Sequence, residues 1–166
     1  MSKPAAAETT IAFSPHDHSH CSGDLLATAQ TLADARGARL TPVRRRVLEI
    51  LLEAHRALGA YEVLERLAAD GYGNQPPVAY RALDFLVEQG LAHRIDRLNA
   101  FMACTHPADA HNPVFFICRH CHTVAEAAGP LVRAAVADTA SGIGFVVERL
   151  TVEVSGLCPA CQTVAA

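Results

Sequence analysis

No stretch of this 166-residue chain approaches the roughly 18 consecutive apolar residues that a membrane-crossing helix needs, although 51% of its residues are hydrophobic. The N-terminus, Met1-Ser2-Lys3-Pro4, never builds the apolar core of a secretory signal. A cytoplasmic location without membrane contact is therefore the expectation. An overall positive charge is also missing: the formal net charge is −3, so the total does not advertise nucleic-acid binding. Neither a nucleophile–base arrangement nor a phosphate-binding glycine loop is found, and the chain is not read as an enzyme. Its six cysteines, in a reducing compartment, are not read as a disulfide framework.

The charge is unevenly distributed. From Ser22 to Ala103 ten Arg face ten acids, three of the Arg being consecutive, Arg44, Arg45 and Arg46. From Cys104 onward three Arg face five acids. A balanced domain can still carry a local basic face.

The length allows one ordinary domain or two small ones. Residues 1–21 read as a disordered segment that ends in His16, His18, His20 and Cys21, a cluster able to bind metal or to do nothing. Helical periodicity then begins, with Leu25, Ala29, Leu32, Ala33 and Arg36 on one face up to Gly37. Thr41 is a natural N-cap and Pro42 suits the first helical position. Val43, Val47, Ile50, Leu51 and Ala54 form the buried stripe behind them, with Arg44, Arg45, Glu49 and Glu53 outward. A third helix spans about Tyr61 to Ala69. A fourth opens at Pro76-Pro77 and closes before Gly90, with Ala79, Leu83, Leu86 and Val87 inside and Tyr80, Arg81, Asp84 and Glu88 outside. Strands around Leu91–Arg97 and Ala100–Cys104 follow. This is the order of a winged helix-turn-helix, spanning residues 22–104. Residues 105–111 read as a hinge. In residues 112–166, Pro113–Cys118 reads as a strand, Leu131 to about Thr139 as a helix and Phe145–Val154 as a strand whose later part alternates. The expected fold class is α+β, a winged helix-turn-helix domain followed by a small α/β dimerisation domain. So small a second domain gains from a metal and from a partner subunit.

Cys118-x-x-Cys121 and Cys158-x-x-Cys161 carry the strongest chemical signal. Four thiolates make a closed tetrahedral zinc site with no open position for substrate. The 36 residues between the pairs exceed a usual zinc-ribbon gap, so such a site ties the start of the second domain to its end. Redox-active or unliganded thiols are the alternatives. A second donor set is His93, Cys104, His111 and Glu126. Two members lie at the end of the first half and two in the second, so a metal held by all four would fix the angle between the domains. Each alone has an ordinary surface or core alternative. On the fourth helix, Tyr80 and Arg81 are the candidate DNA readers, and Arg44 to Arg46 the candidate phosphate trackers, against the reading of a solvated face.

Leu40-Thr41-Pro42-Val43-Arg44, Pro76-Pro77-Val78-Ala79-Tyr80-Arg81-Ala82-Leu83 and Phe116-Ile117-Cys118-x-x-Cys121 together resemble the ferric uptake regulator superfamily, over roughly residues 22–163. The stretch from Tyr80 to Gly90 looks most like its zinc-uptake-regulator branch. The resemblance implies a homodimer of two-domain subunits that represses zinc-uptake genes when zinc is plentiful, and a two-fold dimer predicts an inverted-repeat DNA operator. It implies two zinc ions per subunit, a structural one on Cys118, Cys121, Cys158 and Cys161 and a regulatory one on His93, Cys104, His111 and Glu126. It also implies DNA contacts from Tyr80 and Arg81. The chain departs from the iron-sensing branch, which carries a His-rich run before its first C-x-x-C. Here only His111 remains, and Cys104 adds a thiolate, a donor that favours zinc over ferrous iron. An iron or peroxide sensor, a thiol oxidoreductase and a zinc-storage or metal-chaperone protein are the rival readings.

Overall fold

The structure, a computed structural model, describes residues 19–54, 56–108 and 112–163, with side chains from Gly23 onward. His16, His18 and His111 lie outside the described residues. The chain divides into two compact units, one ending at His111 and one beginning at Asn112.

In the first unit, helix α1 (Ser19–Ala35) is followed by α2 (Pro42–Glu53), strand β1 (Leu58–Gly59), α3 (Ala60–Ala69), α4 (Pro76–Glu88), β2 (Ala92–Ile95), a short 3-10 turn (Asp96–Leu98) and β3 (Ala100–Ala103). The α1 backbone already includes His20 and Cys21, so the helix starts earlier than the periodicity of its apolar residues suggests. Thr41 caps α2, its hydroxyl accepting from the Arg44 amide, and Pro42 occupies the first turn, where no amide hydrogen is needed. Gly37 takes a left-handed φ of +66° just beyond α1, a conformation that costs glycine nothing.

The apolar faces of α1 to α4 converge on one core. Val47, Ile50 and Leu51 of α2, Val63 and Leu67 of α3, and Leu83 and Leu86 of α4 are fully buried within it. Arg46 ties the end of α3 to α2: its guanidinium meets Glu53 at 2.7 Å and Asp70 at 2.6 Å. The hydrogen bonds it donates to these two carboxylates hold its pKa above the ordinary arginine value. The three strands form an antiparallel sheet in the order β1-β3-β2, with His93 opposite Met102 and Ile95 opposite Ala100. Asn99, at a left-handed φ of 46°, turns the β2–β3 hairpin. Three helices followed by a hairpin make a winged helix-turn-helix.

The second unit holds β4 (Pro113–Cys118), β5 (Val124–Ala128), α5 (Pro130–Gly142), β6 (Val152–Gly156) and a final turn of helix, α6 (Pro159–Gln162). The strand order is β5-β4-β6, with β4–β5 antiparallel and β4–β6 parallel. Connecting the parallel pair requires a crossover, and α5 lies in it. The expected strand over 145–154 is shortened to Val152–Gly156. Residues 145–151 have no pairing strand among the described residues, and an unpaired segment gains nothing from extended geometry. Phe145 and Val146 stand exposed there, as do Leu131 and Ile143 on and beside α5. Ile143 and Phe145, with Val132, Val136 and Leu150, border an apolar groove of about 590 Å³. Among the described residues no helix is long and apolar enough to cross a membrane.

Candidate metal centres and nucleic-acid face

The two C-x-x-C pairs come together. Cys118 ends β4, and Cys121 follows a tight turn in which the His122 amide donates to the Cys118 carbonyl and the Cys118 amide donates to the Thr123 carbonyl, both at 3.0 Å. His122 closes that turn at a left-handed φ of 61°. Cys158 is the N-cap of α6, and the Cys161 and Gln162 amides both donate to its carbonyl. The Arg119 amide donates to the Gly156 carbonyl at 2.9 Å, which joins the two loops. All four sulfurs lie within 4.8 Å of one another, and Cys121 Sγ is 3.7 Å from Cys158 Sγ. A zinc–sulfur bond of about 2.3 Å in a tetrahedron sets sulfurs about 3.8 Å apart. The donor set therefore fits one tetrahedral zinc.

The thiol acidities show why such a site wants a cation. Backbone amides of Cys121 and Cys158 pull the Cys118 thiol down to about 5. The Thr123 hydroxyl, 3.2 Å from Cys121 Sγ, lowers Cys121. Burial, then the neighbouring sulfurs, push Cys161 up to about 12. Four thiolates cannot share so small a volume by themselves, and a coordinated dication removes that conflict by deprotonating its ligands outright. Thr123 was not among the residues expected from the C-x-x-C spacing. Its place two residues beyond the second cysteine is the only sequence signal for it.

Of the second donor set, His93 and Cys104 belong to the wing. His93 lies on β2 and is half-buried. Cys104 follows β3, is buried, and is held by its amide donating to the Leu91 carbonyl at 3.0 Å. A ring nitrogen of His93 and the Cys104 sulfur lie within 4.8 Å. Glu126 sits in the second unit, on β5 opposite Phe115, and is the one buried charged residue among those described. Burying a carboxylate is costly unless it meets opposite charge, hydrogen bonds or a metal. His111 lies outside the described residues, and of the N-terminal cluster only the helical backbone of His20 and Cys21 is described.

The outer face of α4 presents Tyr80, Arg81, Asp84 and Glu88 to solvent, Tyr80 with 41% of its surface exposed. The three consecutive arginines divide in role. Arg45 is exposed and pairs with Glu49 at 3.1 Å. Arg46 is held among Glu49, Glu53 and Asp70. Arg44, expected to point outward, is half-buried: its guanidinium lies over the Phe85 ring, 3.7 Å from the centroid, and its Nη1 donates to the Arg39 carbonyl at 2.7 Å. Phe85 is itself buried on α4, a residue that the helical stripe of Leu83 and Leu86 left unassigned.

A winged helix-turn-helix in one unit and a four-cysteine cluster able to hold a metal in the other are the marks of a metal-responsive DNA regulator. The chain belongs to the ferric uptake regulator family, whose model matches residues 35–155. It is 37% identical over 145 residues to the zinc uptake regulation protein of Escherichia coli strain K12, covering 86% of this chain and 84% of that one. Among solved structures it is similar to a zinc uptake regulator complexed with zinc and DNA, with a TM-score of 0.83 and 34% identity over 87% of this chain and 97% of the other. Holo XcZur matches with a TM-score of 0.77 and 35% identity over 84% and 98% of the two chains.

Proposed function

We propose that this chain is a zinc-dependent DNA-binding transcriptional repressor that controls zinc-uptake and zinc-homeostasis genes, acting as a cytoplasmic homodimer without catalytic activity. The observation that carries this reading is the 37% identity to a zinc uptake regulation protein across 145 residues, 86% of the chain.

Two zinc ions per subunit fit the donors. Cys118, Cys121, Cys158 and Cys161 hold a structural ion. His93, Cys104, His111 and Glu126 hold a regulatory one, with residues 105–111 as the hinge between a DNA-binding domain (22–104) and a dimerisation domain (112–166). Zinc supplies a Lewis-acid centre that gathers thiolate, imidazole and carboxylate donors. The sulfur and imidazole in the second set favour it over ferrous iron. Tyr80 and Arg81 face the major groove, where an arginine reaches guanine edges and a tyrosine reaches phosphate or a thymine methyl. Arg45 is free to exchange its weak surface pairing with Glu49 for a phosphate. The exposed apolar groove along α5 supports a second copy as its cover, because monomeric proteins rarely leave such patches open. A two-fold dimer matches an inverted-repeat operator.

Metal can shift the conformational equilibrium only by the difference in its affinity for the DNA-binding and non-binding states. Linkage then requires that DNA tighten zinc binding by the same factor. Zinc titration of DNA binding is the test, in protein that keeps its four-cysteine metal. Affinity must rise with zinc in wild type, and Cys104→Ser must abolish the response without unfolding the chain. Equal affinity with and without added zinc sinks the sensing role.

A further inference from the structure

We propose that Arg44 is a positioning residue for the recognition helix, clamping α4 through Phe85 instead of contacting DNA. This inference rests on the DNA-binding reading above and goes beyond it. From the sequence alone, Arg44 is one of three equivalent phosphate trackers. The geometry separates it from the other two. Arg45 and Arg46 pair with carboxylates. Arg44 has no carboxylate partner among the described residues. Its planar cation lies on the Phe85 ring at 3.7 Å and its Nη1 holds the Arg39 carbonyl at 2.7 Å.

That carbonyl also accepts from the Thr41 amide at 3.1 Å, so it is part of the turn that starts α2. One guanidinium thus joins three segments: the α1–α2 connection, the first turn of α2 and the last turn of α4. A cation within about 6 Å of a ring centroid is attracted by the ring's face, most strongly when both are withdrawn from water. Phe85 is 8% exposed, so its ring face is withdrawn.

Phe85 also lies four residues beyond Arg81 on the same helix, and residues so spaced are neighbours along one face. A roll of α4 that slides the ring from under Arg44 therefore carries Arg81 with it. With a helix radius of about 5–6 Å including side chains, a roll of about 10° moves a side-chain tip by about 1 Å. Hydrogen bonds to base edges tolerate only about half an ångström, so such a roll uncouples base reading while leaving general attraction to the phosphates intact.

The test uses zinc-loaded full-length protein and two duplexes. One is recovered by selecting random DNA with the wild type, and the other is a scrambled version of it. Arg44→Ala is expected to weaken binding to the selected duplex about tenfold and to leave the scrambled duplex unchanged. The dependence of log affinity on log salt is expected to stay within about half a unit of wild type, because a lost phosphate contact would lower it by about 0.9. Arg44→Lys keeps the charge but cannot bridge ring and carbonyl with one planar group, so it loses about fivefold or more. Phe85→Leu is expected to resemble Arg44→Ala, and the double variant to lose no more than about twentyfold, against about a hundredfold for independent effects.

Thermal melts of each variant show that folded protein is being compared. The inference is overturned if Arg44→Lys binds like wild type, if Arg44→Ala weakens both duplexes with a slope change near one, or if the double variant shows the full product. A wild type without zinc-dependent DNA binding removes the functional reading itself, and this inference with it.

Discussion

Replacing Cys121 with serine isolates the contribution of metal to the second unit. Cys121 is the one exposed member of the four-sulfur cluster, so Cys121→Ser changes a ligand and leaves packing almost untouched. The apolar core it supports is small: Val114, Phe115, Ile117 and Val124 are its large buried side chains. At about 1.5–3 kcal/mol each, they contribute about 6–12 kcal/mol before chain entropy is counted. Structural zinc contributes about 10–16 kcal/mol in small domains, so an ion on the proposed four-cysteine site would contribute at least as much as this core. The net stability of a unit of about 50 residues is about 3–8 kcal/mol. Losing one thiolate and its zinc costs more than about 4 kcal/mol. The expected outcome is one zinc fewer per subunit by elemental analysis, a protease-sensitive region after residue 112, and loss of the dimer in sedimentation. The first unit, with its own helical core, keeps its helical signal. Wild-type zinc content with an unchanged melting profile for Cys121→Ser would refute the reasoning.

Two further expectations test packing and titration. Gly129 lies where an added Cβ would stand 2.4 Å from Val114 Cγ2, so Gly129→Ala is expected to destabilise the second unit by about 1–3 kcal/mol, read from denaturant midpoints, and a neutral result would mean that α5 shifts freely against β4. Glu62 receives a hydrogen bond from Arg56 and another from the Gly59 amide, and both hold its pKa below the ordinary carboxylate range. A depressed carboxyl stabilises the fold above its unfolded pKa and loses that contribution as pH falls through the folded value. Glu62→Gln is therefore expected to lower stability at pH 7 by less than about 1 kcal/mol, the pair being solvent-exposed, with the gap closing below about pH 4. A gap that widens in acid would contradict the assignment.

Much of this architecture was written in residues whose meaning is local. Thr41-Pro42 announces α2 because a hydroxyl cap and a missing amide hydrogen both belong at a helix start. Pro76-Pro77 and Gly90 bracket α4 in the same way. The C-x-x-C pairs announce a shared centre because thiolate chemistry leaves few other uses for that spacing. What the sequence hid was decided by distant partners. Val124–Ala128 is Ala-rich and carries no strand pattern, and it becomes β5 because the edge of β4 is there to receive it. Residues 145–151 have an apolar strand-like composition but no edge to join among the described residues, so only Val152–Gly156 pairs, in parallel with β4.

The proposed recognition surface shows the same division more sharply. Tyr80 and Arg81 follow from the periodicity of one helix, because what faces away from a core can be read from what faces it. The difference between Arg44, Arg45 and Arg46 cannot be read that way. Three identical side chains in a row differ only in what the fold places above them: a buried ring, a single carboxylate on the same helix, and a cluster of acids reaching to the end of α3. Charge counted along the chain makes them one basic run. Charge counted in space leaves Arg45 as the residue most free to meet a phosphate. It follows that Arg45→Ala should lower the salt dependence of DNA binding by about 0.9 while Arg46→Ala mainly lowers stability. Equal salt slopes for those two variants would show that the ion pairs dissolve on DNA and that the basic run acts as a single patch.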